Sequence, residues 1–236
     1  MRLFFLHIFV VCSISLALQK PTLADQLVEL LSFTDFEQGT VEDWLKAKGF
    51  VLQQDATRRD RINLDVSDDG LRIEAKRKAF GLMVNESANV QTFRYVEIDW
   101  GVSRFPEGVS YEQGVRNEPI MVYFFLGDER YESGSLFIPD SPYFIGLFLC
   151  HGDDRIGHPY SGSYFKKGGR YVCGDQPKMG ELYTTRFDLL QAYRTHFDKE
   201  LDDDPAISGI AVAVDTSKAK GDGKSVALIR EIRVYR

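Results

Sequence analysis

Eight short apolar-rich runs separated by Gly, Asp, Asn and Pro constrain this chain more than any other feature. They are Leu71–Ala75, Gly81–Val84, Tyr95–Val102, Ile120–Leu126, Ser135–Ile138, Phe144–Cys150, Ile207–Val214 and Val226–Tyr235. Runs of this length, bounded by turn formers, read as strands of an antiparallel β protein. Within Ile207–Val214, Ile210, Val212 and Val214 alternate with Gly209, Ala211 and Ala213, and a face of small residues suits the close approach of another layer. In the last run, Val226 and Leu228 are expected inward and, after a shift of phase near Ile229, so are Ile232 and Val234. Arg230, Glu231, Arg233 and Arg236 are left to water. One segment follows helical spacing instead. Leu190, Tyr193, Arg194, Phe197 and Leu201 predict an amphipathic helix near residues 188–201, with Asp188 as its N-cap and Asp202-Asp203-Asp204-Pro205 as its stop. The expected fold class is mostly β, an antiparallel β-sandwich with one helix laid on it.

The first residues bear on compartment. Arg2, the apolar stretch Leu3–Leu18 and the small residues around Thr22-Leu23-Ala24 read as a signal peptide over residues 1–24. The stretch is shorter than the ~20 apolar residues a membrane-spanning helix needs. Residues 25–236 are then expected as one β-sandwich domain, periplasmic or secreted, with no membrane span after cleavage. The formal net charge of −6 becomes more negative once Arg2 and Lys20 are removed, which argues against nucleic acid as a partner. A glycan or an envelope protein remains. Cys150 and Cys173 survive processing, and in an oxidising compartment a pair of cysteines reads first as a disulfide. A zinc site with His151 and His158 is the other reading, but structural zinc sites bring closely spaced cysteine pairs and this segment has none. The loop between the cysteines, Gly152–Gly169, would then be tied at its base, and such loops carry function often.

Motifs for chemistry are sparse. Gly221-Asp222-Gly223-Lys224-Ser225 ends like a phosphate-binding loop but precedes a strand, so it reads as a hairpin turn. No Gly-x-Ser-x-Gly is present, and Ser161, Ser163, His151, His158 and Asp153 are neighbours in sequence only. Glycoside hydrolysis needs two carboxylates, and Glu97 and Asp99, alternating on one strand next to Trp100, are the candidate catalytic pair. Binding a sugar needs an aromatic platform and a few polar groups, for which Trp100, Tyr143, Asp153, Arg155, Tyr160 and Tyr164 are the candidates.

Phe33-Thr34-Asp35-Phe36-Glu37-Gln38-Gly39-Thr40, followed by Trp44, resembles the opening of galactose-binding-like jelly rolls, a group that includes carbohydrate-binding modules. That resemblance implies a structural calcium held by Asp35 or Glu37 together with Asp215. A longer stretch is similar to the bacterial family called domain of unknown function 3047. It runs from Val96-Glu97-Ile98-Asp99-Trp100-Gly101-Val102 and Phe105-Pro106-Glu107-Gly108, through Ile120–Asp128, to Ile207–Thr216. Where that family has a longer acidic turn, this chain has Asp215-Thr216-Ser217-Lys218. Where the family carries several acidic residues before the strand at Ile120, this chain has Glu118. The expected function is an exported, non-catalytic sandwich that binds a glycan or another envelope component. A glycan hydrolase or lyase and an envelope assembly protein are the alternatives.

Overall fold

The computed structural model describes residues 25–135, 138–197 and 204–236. In chain order its elements are β1 (Leu27–Ser32), α1 (Val41–Ala47), β2 (Val51–Gln54), β3 (Ile62–Ser67), β4 (Gly70–Ala75), β5 (Phe80–Asn85), β6 (Tyr95–Arg104), β7 (Glu118–Tyr131), β8 (Ser141–Leu149), β9 (Pro159–Tyr160), β10 (Gly169–Asp175), β11 (Tyr183–Asp188), α2 (Leu189–His196), β12 (Ile207–Asp215) and β13 (Ser225–Tyr235). A six-stranded sheet has the order β11-β6-β13-β4-β3, with β1 also paired to β13. A seven-stranded sheet has the order β2-β5-β12-β7-β8-β10-β9. Consecutive strands pass from one sheet to the other at β1–β2, β2–β3, β4–β5, β5–β6, β6–β7, β10–β11, β11–β12 and β12–β13, the connection habit of jelly rolls. The fold class is the expected two-sheet β-sandwich. All strand pairs are antiparallel except β8 with β10, which run parallel.

Alternation decides which side chains enter the space between the sheets. From the six-stranded sheet come Ile73, Val96, Ile98, Trp100, Ile229 and Ile232. Opposite them stand Ile120, Val122, Phe124, Ile145, Leu147, Ile210, Val212 and Val214, all buried in one cluster. Trp100 is the largest of these and is fully buried. Its indole N–H donates to Thr185 Oγ1 at 2.9 Å, which satisfies the one polar group it brings inside.

The last strand enters this core in the opposite phase from the expected one. Ala227 and Ile229 are buried, whereas Val226 and Leu228 lie half-exposed on the other face. The expected change of phase is real: Ile229 pairs with Trp100 and Glu231 with Asp99, so a bulge inserts one residue before Ile232 and Val234 turn inward. Both faces before the bulge are apolar, so alternation alone leaves the choice to the neighbouring strands. Asp188 caps the late helix as expected, accepting from the Gln191 N–H at 2.9 Å. That helix runs from Leu189 to His196, and residues 198–203 of the expected segment lie outside the described residues. An unexpected helix, Val41–Ala47, starts at Thr40, whose hydroxyl accepts from the Asp43 N–H. The expected strand Ser135–Ile138 has its two ends in bends, and residues 136 and 137 lie outside the described ones.

Cys150 and Cys173 form the expected disulfide across the parallel pair β8 and β10. The segment it closes is more ordered than a surface loop: Pro159–Tyr160 adds a short strand to the edge of β10, and Asp154 is buried. No helix among the described residues is long and apolar enough to cross a membrane. Replacing both cysteines with Ser should lower unfolding stability by about 3 kcal/mol, given the size of the closed loop. Chemical denaturation of the two proteins under non-reducing conditions measures this, and equal midpoints would show that the bond does not brace the fold.

Candidate functional site

The inner faces of the sheets are consumed by the core, so a site must lie on an outer face or among loops. The outer face of the six-stranded sheet carries Glu97 and Asp99, and it is closed by ion pairs. Arg233 donates to both Asp99 oxygens, at 2.8 and 2.9 Å, and also to Glu97 and Glu231. Arg186 donates to Glu97 at 2.7 Å, Tyr235 to Glu97 at 3.0 Å and Thr184 to Asp99 at 2.7 Å. Burial pushes Glu97 up, but the hydrogen bonds from Arg186 and Tyr235 and the Arg233 charge outweigh it and hold the carboxyl below its usual range. A proton donor needs the opposite shift.

The outer face of the seven-stranded sheet is different. Its side chains are apolar and aromatic, and they line a cleft of about 810 Å³. The small residues Gly209, Ala211 and Ala213 recess β12 between bulky neighbours, Phe80, Leu82 and Val84 of β5 on one side and Tyr123 and Phe125 of β7 on the other. Strand spacing sets those two walls roughly 10 Å apart. The small face of β12 therefore floors a trough rather than meeting a further layer. Tyr123 and Phe125, two residues apart on β7, hold their rings within 10° of parallel at 6.3 Å, a stacked pair. Gly146 on β8 makes room for it, because a Cβ there would lie 2.6 Å from the Met121 sulfur and 3.1 Å from the Tyr123 ring. Ser163, Tyr164 and Phe165 from the disulfide-bounded segment close one side. Among the described residues two non-glycine residues have positive φ, Gln54 at 56° and Phe165 at 51°, and both line this cleft. Strained backbone of this kind clusters at functional sites.

Two carboxylates stand at one end of the trough. Glu118 opens β7, Asp215 closes β12, and they are directly paired across the two strands. Counting by two from Tyr123 would turn Glu118 into the core. A bulge prevents that: between the Ala213–Met121 and Asp215–Glu118 pairs β12 advances two residues and β7 three, so Glu118 joins Asp215 on the outer face. Glu118 is buried and accepts from the Tyr111 hydroxyl at 2.6 Å. Burial, then the neighbouring Asp215 charge, pushes its carboxyl well above the usual range, against the opposing Tyr111 bond. Burial also raises Asp215, but hydrogen bonds from Ser217 and the Lys218 charge oppose this, and its Oδ1 accepts from the Ser217 N–H at 2.8 Å. Asn117 braces the same turn by accepting from the Lys218 N–H at 2.7 Å. Tyr111 stacks on Phe148 with centroids 4.1 Å apart and joins Tyr160 and Tyr171, so the acid rests on a layer of rings.

Of the binding residues anticipated from sequence, Tyr164 lines the cleft and is well exposed. Trp100 is sealed in the core. Tyr143 stacks on Tyr131 and packs against Tyr193 and Phe197. Asp153, Arg155 and Tyr160 form a clasp with the chain before β7: Asp153 accepts from Ser110 and Gln113, while Arg155 and Tyr160 bind Glu112. His151 stacks on Phe105, His158 meets Arg155 and Ser163 meets Arg116, so the histidines and serines are dispersed. Asp35 pairs with Lys48 at 2.6 Å, near the Asn85 end of β5, whereas Asp215 pairs with Phe80 at the other end. The structure does not bring these two carboxylates together, and among the described residues no three His, Cys, Asp or Glu side chains cluster as metal ligands. Gly221–Gly223 forms the expected turn before β13.

No family model matches the chain, which leaves the likeness to domain of unknown function 3047 without that support, and no curated protein matches it. Solved structures similar to it include the carbohydrate recognition domain of Emp46p in its potassium-bound form, at 10% identity over 87% of this chain and 94% of that one, with a TM-score of 0.41. The exoplasmic/lumenal domain of VIP36 bound to Ca2+ and Man3GlcNAc is 10% identical over 80% and 83%, with a TM-score of 0.35. Endoglucanase 3 of Trichoderma harzianum, from family GH12, is 8% identical over 79% and 98%, with a TM-score of 0.36.

The buried acid makes stability depend on pH. A carboxyl whose folded pKa is raised contributes most below its unfolded pKa and loses that contribution as pH rises through the folded value. Glu118→Gln removes this titration while keeping the shape. The variant should gain melting temperature relative to the parent as pH rises from 5 to 9, measured by differential scanning calorimetry. A constant difference across that range would place Glu118 in contact with water.

Proposed function

We propose that this chain is an exported β-sandwich that binds a glycan in the trough along β12, pyranose rings lying on the Tyr123–Phe125 platform. That pair of near-parallel, half-exposed rings beside a recessed strand is the observation that carries the reading. Sugar rings have apolar faces and polar rims, so they need flat aromatic surface below and hydrogen-bonding groups at the side. The trough offers both, with Gln53, Gln54, Ser208, Asp128 and Arg130 along its edges. Its volume falls within the range of small-molecule sites. The disulfide and the signal-like start support export, since such bonds persist in oxidising compartments.

Isothermal titration of residues 25–236 with cellohexaose, xylohexaose, mannohexaose and chitohexaose tests this, with maltohexaose as a helical counterpart. At least one flat, β-linked hexasaccharide should bind. Phe125→Ala and Tyr164→Ala should each weaken it roughly 3- to 10-fold, the value of one aromatic contact. Binding that is absent for all five sugars, or indifferent to both substitutions, overturns the reading.

A further inference from the structure

We infer that the same trough hydrolyses glycosidic bonds, with Glu118 as proton donor and Asp215 as the attacking carboxylate. The inference rests on the glycan-binding reading and goes beyond it. Its first support is geometric. Residues directly opposite on antiparallel strands hold their Cβ atoms about 4.5–5.5 Å apart, and Glu118 and Asp215 are such a pair. Side chains carried at that spacing can bring their carboxyls to about 5 Å, which suits direct attack on the sugar, whereas inserting a water between carboxylate and anomeric carbon needs roughly 6.5–9.5 Å. The bulge that produces this pairing spends one residue of β7 to bring a carboxyl out of the core and into the trough. Bulges beside active sites commonly re-aim a side chain in this way.

The second support is the difference between the two environments. Glu118 is buried, has a single hydrogen bond from Tyr111 and touches no cation among the described residues. Asp215 is half-buried, keeps a backbone N–H and lies near Lys218. Two carboxyls held in unlike surroundings divide into a protonated acid and an ionised base or nucleophile. Here burial and the Asp215 charge favour protonated Glu118, whereas Ser217 and Lys218 favour ionised Asp215 against its own burial. A third observation concerns the wall: Arg116 Nε is buried beside the trough with no hydrogen-bond partner among the described residues. A buried donor without a partner costs free energy that a ligand oxygen would recover.

The chemistry closes on water alone. An Asp215 oxygen forms a bond to the anomeric carbon while the bond from that carbon to the leaving oxygen breaks, and the Glu118 proton passes to that oxygen. The ionised Glu118 then takes a proton from water, the water oxygen attacks the anomeric carbon, and the bond to Asp215 breaks. Both carboxyls return to their starting states, and the anomeric configuration is retained after two inversions.

The test follows new reducing ends and proton NMR of the first product from whichever hexasaccharide binds, for the parent chain, Glu118→Gln and Asp215→Asn. Turnover with retained configuration is expected. Both variants should bind the sugar and lose about 10²–10⁴-fold in rate. Tyr111→Phe removes a hydrogen bond that favours ionised Glu118, so it should move the alkaline limb of the rate profile to higher pH, a shift that a purely structural role would not cause. Binding without turnover in the parent overturns hydrolysis and leaves the binding reading standing. Absence of binding removes both. Parent-like rates in either variant, or an inverted product, overturn the assigned roles.

Discussion

The whole architecture depends on sealing one face of each sheet against the other around Trp100. Every strand has two faces, and the shared core claims one of them through Ile98, Trp100 and Ile229 on one side and Val122, Phe124 and Val212 on the other. At roughly 25 cal/mol per Å² of apolar surface removed from water, this cluster is the dominant favourable contribution to folding. What each sheet does with its remaining face then decides where function can sit. The six-stranded sheet spends its outer face on Arg233, Arg186 and their carboxylates, which satisfy one another. The seven-stranded sheet leaves rings, small residues and one buried acid.

That buried acid runs against the logic of the core. Taking a carboxyl out of water is costly unless it stays neutral or is well paired. Glu118 receives one phenolic hydrogen bond and a carboxylate neighbour, and the neighbour makes ionisation harder still. A sandwich that needed only stability would be better served by Gln or Leu at that position. The rings of Tyr111, Tyr123 and Tyr171 below and beside it keep water out and sustain the effect, and all three phenols are themselves pushed above their usual range by burial.

Alternating strands, the capped late helix and the disulfide were legible in the sequence because each is a local pattern: period two, period 3.6, and a cysteine pair behind a start that reads as a signal peptide. The phase of β13 was not, since Val226 and Leu228 are as apolar as the residues that displaced them, and only pairing with β4 and β6 breaks the tie. Tyr164 was found because a tyrosine in a polar loop stands out. Tyr123 and Phe125 were hidden in a run that is apolar at every position from Ile120 to Leu126. Such a run is itself a signal that both faces of a strand are covered. Glu97 and Asp99 drew notice for sharing a face, but the arginines that neutralise them arrive from β11 and β13, far away in sequence.

Glu118 and Asp215 lie 97 residues apart, 215 minus 118, and join only through the pairing of β7 with β12. Each had been noticed separately, as a place where the chain departs from the acidic pattern of the family it resembles. The bulge turns those two departures into one feature. Burial and the Asp215 charge both favour the protonated form of Glu118, and no Lys or Arg among the described residues pairs with it to oppose them. In the turn Asp215-Thr216-Ser217-Lys218, Ser217 and Lys218 favour the charged form of Asp215 alone. Unequal support of two adjacent carboxyls is the physical condition for separate acid and base roles, and in this fold it is supplied by one extra residue in β7 and a short turn after β12.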